Sequence, residues 1–70
     1  MDNFLQDIIK VCERFSGDYR REYIHTVTEA FRSYMFSEFR ITAVKVNVKD
    51  KDKDFCTITC IFLDKDSYKT

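Results

Sequence analysis

Residues 55–63 read FCTITCIFL and contain no charged side chain. β-Branched and aromatic residues are frequent in this stretch, and the side chains alternate with a period of two, which predicts a β-strand. A second alternating stretch, ITAVKVNVK at residues 41–49, precedes it. We therefore predict an antiparallel β-hairpin with strands at about residues 40–49 and 55–63.

The segment between the two predicted strands places Asp50, Asp52 and Asp54 at alternate positions. This spacing opens the calcium loop of a helix-loop-helix site. Such a loop also needs glycine at its sixth position and glutamate at its twelfth, where this sequence has Phe55 and Ile61. We therefore interpret the segment as a hydrated turn between strands, in which aspartates bond nearby backbone amides, and predict no metal and no cofactor.

A five-residue turn at residues 50–54 fixes the register of the hairpin. It places Val48 opposite Cys56 and Val46 opposite Ile58, on a face that is almost entirely apolar. A shift of one residue would place lysines and threonines on that face instead. We expect this face to be covered by helices.

The N-terminal residues follow a helical period of apolar side chains, at Leu5, Ile8, Ile9, Cys12 and Phe15. This pattern predicts a helix at about residues 2–15, with Asp2 or Asn3 as its N-cap. Gly17 is the single glycine of the chain and is predicted to end the helix, because glycine adopts a left-handed conformation without steric cost.

A second helical pattern follows, with Asp18 as its predicted N-cap and an extent of about residues 18–38. The predicted fold is therefore α+β, with two N-terminal helices followed by an antiparallel β-hairpin, in the order α-α-β-β. We interpret residues 1–70 as one small domain, because a chain of this length supports a single hydrophobic core.

Composition excludes several classes of protein. The chain has 12 basic and 12 acidic residues, so bulk charge does not favour a nucleic-acid binder. No apolar stretch approaches the roughly 20 residues of a membrane helix, and the acidic, amphipathic start is unlike a secretory signal. Three cysteines, an odd number, fit a reducing compartment. We expect a cytoplasmic protein without membrane contact, and the bias toward AT-rich codons is typical of bacterial or phage genes.

The cysteines and the single histidine do not form a catalytic set in this reading. Cys56 and Cys60 lie on the inward face of one strand, roughly 13 Å apart, beyond disulfide reach. Cys12 lies on the apolar side of the first helix and could approach either of them. His25 is assigned to the outer face of the second helix. We therefore predict no enzyme and no catalytic residues.

The outward face of the predicted hairpin becomes apolar away from the turn, and the second strand is an uncharged edge. This pattern predicts a homodimer joined through the second strand into a four-stranded sheet, unless the first helix covers the patch. The predicted interface residues are Phe36, Phe39, Ile41, Ala43, Ile61 and Leu63.

These features predict a small non-enzymatic protein-binding module. We expect it to regulate or inhibit an unidentified protein stoichiometrically, as a homodimer, and a phage origin would place it in the host cytoplasm. The alternative is a small nucleic-acid-binding protein that contacts phosphates through basic side chains of the second helix and the sheet. The residues of this alternative are Arg20, Arg21, Arg32, Lys45 and Lys49.

Overall fold

The structure is a computed structural model that describes residues 4–63. It has two helices and a three-stranded antiparallel sheet, so the predicted α+β class is confirmed. The elements in chain order are α1 (Phe4–Phe15), β1 (Gly17–Arg20), a 3-10 turn (Arg21–Tyr23), α2 (Ile24–Phe39), β2 (Val44–Asp50) and β3 (Phe55–Phe62).

The strand β3 lies in the centre of the sheet, because the strand order is β1-β3-β2. Its alternating pattern is reproduced: every second side chain is buried on the face covered by the helices. The register with β2 differs from the prediction by two residues, since Val48 lies opposite Ile58 and Asp50 opposite Cys56. The five-residue turn is displaced by one position toward the C-terminus. An offset of two keeps every side chain on its predicted face.

The predicted order α-α-β-β is wrong, because a strand separates the two helices. Asp18 does not cap a helix but lies in β1, opposite Thr57 of β3. Gly17 adopts a φ of 147°, a conformation that favours glycine, and lets the chain leave α1 and enter the sheet directly. The predicted edge of β3 is therefore occupied along residues 55–58 by a segment of the same chain.

The helix bounds also differ from the predicted ones. The helix α2 begins at Ile24 instead of residue 18, and it ends at Phe39. The predicted start of the first helix at residue 2 and its predicted caps, Asp2 and Asn3, lie outside the described residues. The strand β2 begins at Val44, and the segment from Arg40 to Ala43 connects it to α2.

The hydrophobic core lies between the two helices and the inward face of the sheet. Among the described residues, its buried members are Ile8, Cys12, Phe31, Met35, Ile41, Val44, Ile58, Cys60 and Phe62. Phe31 is fully buried and its ring centroid lies 5.5 Å from that of Phe15, which couples α2 to α1. The expectation that helices cover the apolar face of the hairpin agrees with this arrangement.

The end of α2 fixes the position of the segment that follows it. Arg40 adopts a left-handed conformation (φ 57°, ψ 36°), and its N–H donates to the carbonyl of Phe36. The N–H of Ile41 donates to the carbonyl of Met35 at 3.3 Å. The bond from Arg40 to Phe36 is that of an αL helix cap, and the further bond from Ile41 holds the residue after the left-handed position against the last helical turn. Ile41 is accordingly 7% exposed and belongs to the core, so its predicted place on the outward face of the sheet is wrong.

The left-handed residue gives a test of this helix end. We expect Arg40→Gly to raise the free energy of unfolding by about 1 kcal/mol, because glycine has no Cβ to oppose a positive φ. Arg40→Ala is the control: it removes the contact of the guanidinium with the Phe36 ring, 5.2 Å away, but keeps the Cβ. Urea denaturation of the three proteins measures the difference. A glycine variant no more stable than the alanine variant would contradict this account of the helix end.

Candidate functional site

The central strand β3 is longer than β1, which pairs only with the N-terminal half of β3. β1 begins at Gly17, opposite Ile58, so residues 59–62 of β3 extend beyond the end of β1. The helix α1 lies alongside this half of β3, because α1 leads directly into β1 through Ser16. The position of this open half therefore follows from the short connection between α1 and β1.

A groove of about 290 Å³ separates α1 from the open half of β3. We call it the edge groove, and its lining residues are Ile9, Cys12, Glu13, Cys60, Ile61 and Phe62. Ile9 is 43% exposed although it lies beside the fully buried Ile8. The apolar side of α1 is therefore wider than the part that the core covers, and the excess borders the groove.

Ser16 joins the two walls of the edge groove. Its hydroxyl donates to the carbonyl of Cys12 at 2.7 Å and accepts from the N–H of Cys60 at 2.9 Å. One oxygen atom thus satisfies the last turn of α1 and a backbone donor of β3 just beyond the end of β1. This bridge holds the backbone of residue 12 close to that of residue 60.

The two thiols of the edge groove are both mainly protonated at neutral pH. Burial raises the pKa of Cys12, and the nearby Cys60 and Glu13 raise it further against an opposing backbone hydrogen bond. Burial also raises the pKa of Cys60, against the opposing effect of its hydrogen bond with Ser16. A raised pKa leaves little thiolate, which is the nucleophilic form of cysteine. The groove therefore presents an apolar surface with two thiols in it.

The Ser16 bridge can be tested by removing one atom. We expect Ser16→Ala to lower the free energy of unfolding by about 1–3 kcal/mol, because the N–H of Cys60 then loses its acceptor in a partly buried site. Ser16→Thr retains the hydroxyl and serves as the matched control. Chemical denaturation measures both variants, and hydrogen exchange at the amide of Cys60 should accelerate in the alanine variant alone. Unchanged exchange at that amide would show that the bridge is unimportant.

The predicted interface residues fall into two groups. Ala43, Ile61 and Leu63 lie together on the outer face of the sheet, the face away from the helices, where the N–H of Leu63 donates to the carbonyl of Ala43 at 2.9 Å. Phe36 and Phe39 belong to the helix layer; Phe36 is 49% exposed, whereas Phe39 packs partly against the core. With Ile41 buried, the six residues do not form one surface.

Two exposed apolar residues near these groups were not predicted as interface residues. Phe4 is 41% exposed and its ring meets that of Phe39 edge-on, with centroids 5.4 Å apart. Ile9 borders the edge groove. The sequence does contain a feature that predicts their exposure. The apolar side of the first helix is wide and has more apolar residues than one neighbouring layer can bury.

Arg21, one of the predicted nucleic-acid contacts, binds the hairpin turn instead. Its Nε donates to the carbonyl of Lys53 at 3.1 Å, and its Nη2 donates to that of Asp52 at 2.6 Å. Its Nη1 forms an ion pair with Asp50 at 2.9 Å. The Oδ1 atom of Asp52 also accepts from the backbone N–H groups of Asp54 and Phe55, as predicted for a turn aspartate. All of these groups stabilise the turn.

Three of the other four residues of the nucleic-acid alternative share the outer face of the sheet, because Arg20, Lys49 and Lys45 lie opposite Phe55, Thr57 and Ile61. Arg20 lies in β1 with its guanidinium 5.7 Å from the ring centroid of Phe55. Lys45 and Lys49 are exposed along β2, and Arg32 is exposed on α2. The five basic residues are therefore divided between the sheet, the turn and α2.

Two exposed carboxylates hold β1 and the turn to the sheet. The pKa of Asp18 is lowered, chiefly by its hydrogen bond with Lys51 and then by that from Thr57, whose hydroxyl donates at 2.7 Å. The pKa of Asp50 is lowered by the hydrogen bond and charge of Arg21. Both contacts link segments that lie far apart in the sequence.

The lowered pKa values of Asp18 and Asp50 predict how the stability of the fold changes with pH. Because the folded-state pKa of each lies below the ordinary value of 3.8, their stabilising effect is complete above that value and is lost as the pH falls through the folded-state pKa. We expect the melting temperature to decrease as the pH drops below about 4. The decrease should be smaller in the double variant Asp18→Asn/Asp50→Asn. Circular dichroism melts across this range measure it. Asp7→Asn, at an exposed position on α1, is the control and should keep the wild-type slope; an identical slope in the double variant would contradict the assignment.

Residues 4–63 contain neither a membrane-spanning helix nor a cluster of metal ligands. No helix in this part of the chain has the length and apolar character needed to cross a membrane. Within the same residues, no three side chains of His, Cys, Asp or Glu type come together as metal ligands.

Comparison with known proteins gives no further assignment. No protein-family model, curated protein sequence or solved structure matches the chain. The edge groove must therefore be interpreted from its own residues.

Proposed function

We propose that the chain is a non-enzymatic protein-binding module that forms a homodimer through the open half of β3. In this form it acts as a stoichiometric regulator or inhibitor of another protein. The observation that supports the proposal is the edge groove, where an apolar surface lies beside the part of β3 that extends beyond β1. An exposed apolar surface beside a sheet edge is typical of protein interfaces.

A second copy fits this surface because antiparallel strands can pair about a two-fold axis. Such an axis beside Ile61 would bring the open halves of two β3 strands together, with Ile9 of the same groove next to the contact. β1 limits the contact to residues 59–62, since residues 55–58 already pair with it, and within them the N–H of Cys60 keeps its bond to Ser16. The dimer sheet would then contain six strands, instead of the four expected from the sequence.

Four residues of strand are too few for a stable interface by themselves. Stable dimers bury about 800 Å² on each partner. Apolar residues that border the open half supply additional area: Ile9 is 43% exposed and Leu63 is 55% exposed. The contact would therefore extend from the edge groove onto the end of the outer face.

Introducing a charge into the apolar surface tests the dimer. We expect sedimentation velocity to show wild-type dimers at micromolar concentration, and Ile9→Lys and Ile61→Lys to shift the equilibrium to monomer by at least tenfold in Kd, because burying an unpaired lysine is costly. Ile9 is exposed enough that its variant should retain the wild-type melting temperature. Val48→Lys is the matched control, since Val48 is 49% exposed and β2 lies on the other side of β3 from the open edge.

A wild-type protein that stays monomeric across this concentration range would overturn the dimer. The alternative function is distinguished by titrating random duplex and single-stranded nucleic acid at several salt concentrations. Micromolar binding that weakens steeply with salt would favour the nucleic-acid reading. We expect no such binding, because Arg21 is held in the hairpin turn and the outer face that carries Arg20, Lys45 and Lys49 also carries the carboxylate of Asp18.

A further inference from the structure

Cys12 and Cys60 are the two thiol residues of the edge groove, one on each wall. They are 7% and 6% exposed, and the groove opens to solvent between their elements. The Ser16 hydroxyl contacts the carbonyl of Cys12 and the N–H of Cys60, so the backbone segments that carry the thiols are already held together. The fold thus selects Cys60, and not Cys56, as the neighbour of Cys12.

We propose that Cys12 and Cys60 form an oxidisable pair that closes to an intramolecular disulfide between α1 and β3. The co-reactant is a small-molecule disulfide such as glutathione disulfide. One protein thiol loses its proton and attacks a sulfur of glutathione disulfide, which forms a mixed disulfide and releases one glutathione thiolate. The second protein thiol loses its proton and attacks the protein sulfur of that mixed disulfide. This step releases the second glutathione thiolate, and the two released thiolates take up the two protons.

The environment of the pair predicts how fast the reaction proceeds. Burial raises the pKa of both thiols, so little thiolate is present at neutral pH and the reaction is slow there. The rate should rise as the pH is increased toward the thiol pKa values. The second step is favoured over release of the mixed adduct, because the Ser16 bridge keeps the second thiol nearby.

Cys56 supplies a matched internal control. It is 1% exposed and lies four residues from Cys60 on the same strand, which corresponds to roughly 13 Å. Its strand partner is Tyr19 of β1, and its thiol donates to Asp50 Oδ1 at 3.7 Å, toward the hairpin turn. It therefore belongs to the half of β3 that β1 covers, away from the edge groove.

The experiment oxidises the folded full chain with glutathione disulfide at several pH values and maps the product by tryptic digestion. Cys12 falls in the peptide VCER, and Cys56 and Cys60 share the peptide DFCTITCIFLDK. We expect a product that has lost two hydrogens, with VCER linked to the longer peptide and fragmentation placing the bond at Cys60. Cys56→Ala should form the same link, and its reduced and oxidised forms should differ in melting temperature by several degrees in favour of the oxidised form.

The products of the oxidation distinguish a Cys12–Cys60 link from its alternatives. A link between Cys12 and Cys56 in the folded wild-type protein would overturn the proposal, as would a final product that carries only glutathione adducts. Oxidation in urea is the control for chance pairing, since the unfolded chain should form the Cys12–Cys56 and Cys12–Cys60 links without strong preference. If the folded protein showed no greater preference for Cys60 than the urea sample, the proximity assigned to the groove would be wrong. Because the proposed dimer would cover the same groove, the oxidation is carried out at low protein concentration, where the chain is monomeric.

Discussion

The structure depends on covering one uncharged strand, β3, on three sides. Its inward side chains are buried beneath both helices, β2 pairs with one edge, and β1 pairs with the first half of the other. The burial of apolar surface is the main favourable term available to so small a domain, and the strand pairing gives hydrogen-bond partners to the backbone groups that leave water. The remaining part of the edge, beside α1, is the least covered section of the strand, and the edge groove lies there.

The two ends of the sheet differ in character because they are held by different forces. At the hairpin turn, Arg21 and Lys51 connect the turn to β1 and its neighbouring segment through ion pairs with Asp50 and Asp18. These contacts are exposed and depend on charge. At the opposite end, apolar contacts and the Ser16 bridge join α1 to β3. The protein therefore has one polar, hydrated end and one apolar end.

Much of this fold could be predicted from the sequence where a pattern was long enough. The alternation in residues 55–63 predicted β3 and its buried face, and the failed calcium pattern correctly indicated a turn. The strand β1 could not be identified, because four residues, GDYR, are too few to distinguish a period of two from a helical one. Missing β1 also led to an incorrect helix start and to an overestimate of the open edge of β3.

The candidate site was harder to predict from the sequence, also for a physical reason. The neighbourhood of Cys12 and Cys60 depends on Ser16, whose hydroxyl bonds to both strand and helix, and no periodicity reports such a contact. Likewise, Ile41 resembles a strand residue in the sequence, but the left-handed conformation of Arg40 turns it into the core. The hydrogen bonds of one side chain place Cys12 near Cys60, and one left-handed residue places Ile41 in the core.

The pairing of β1 with β3 also constrains how the protein is made. Residues 17–20 are synthesised early, yet their partners at residues 55–58 are among the last described residues to be joined to the chain. On the ribosome, α1 and β1 must wait with their apolar sides unprotected until β3 has left the exit tunnel. Closure of the core therefore requires β3, the last of the described strands to be synthesised.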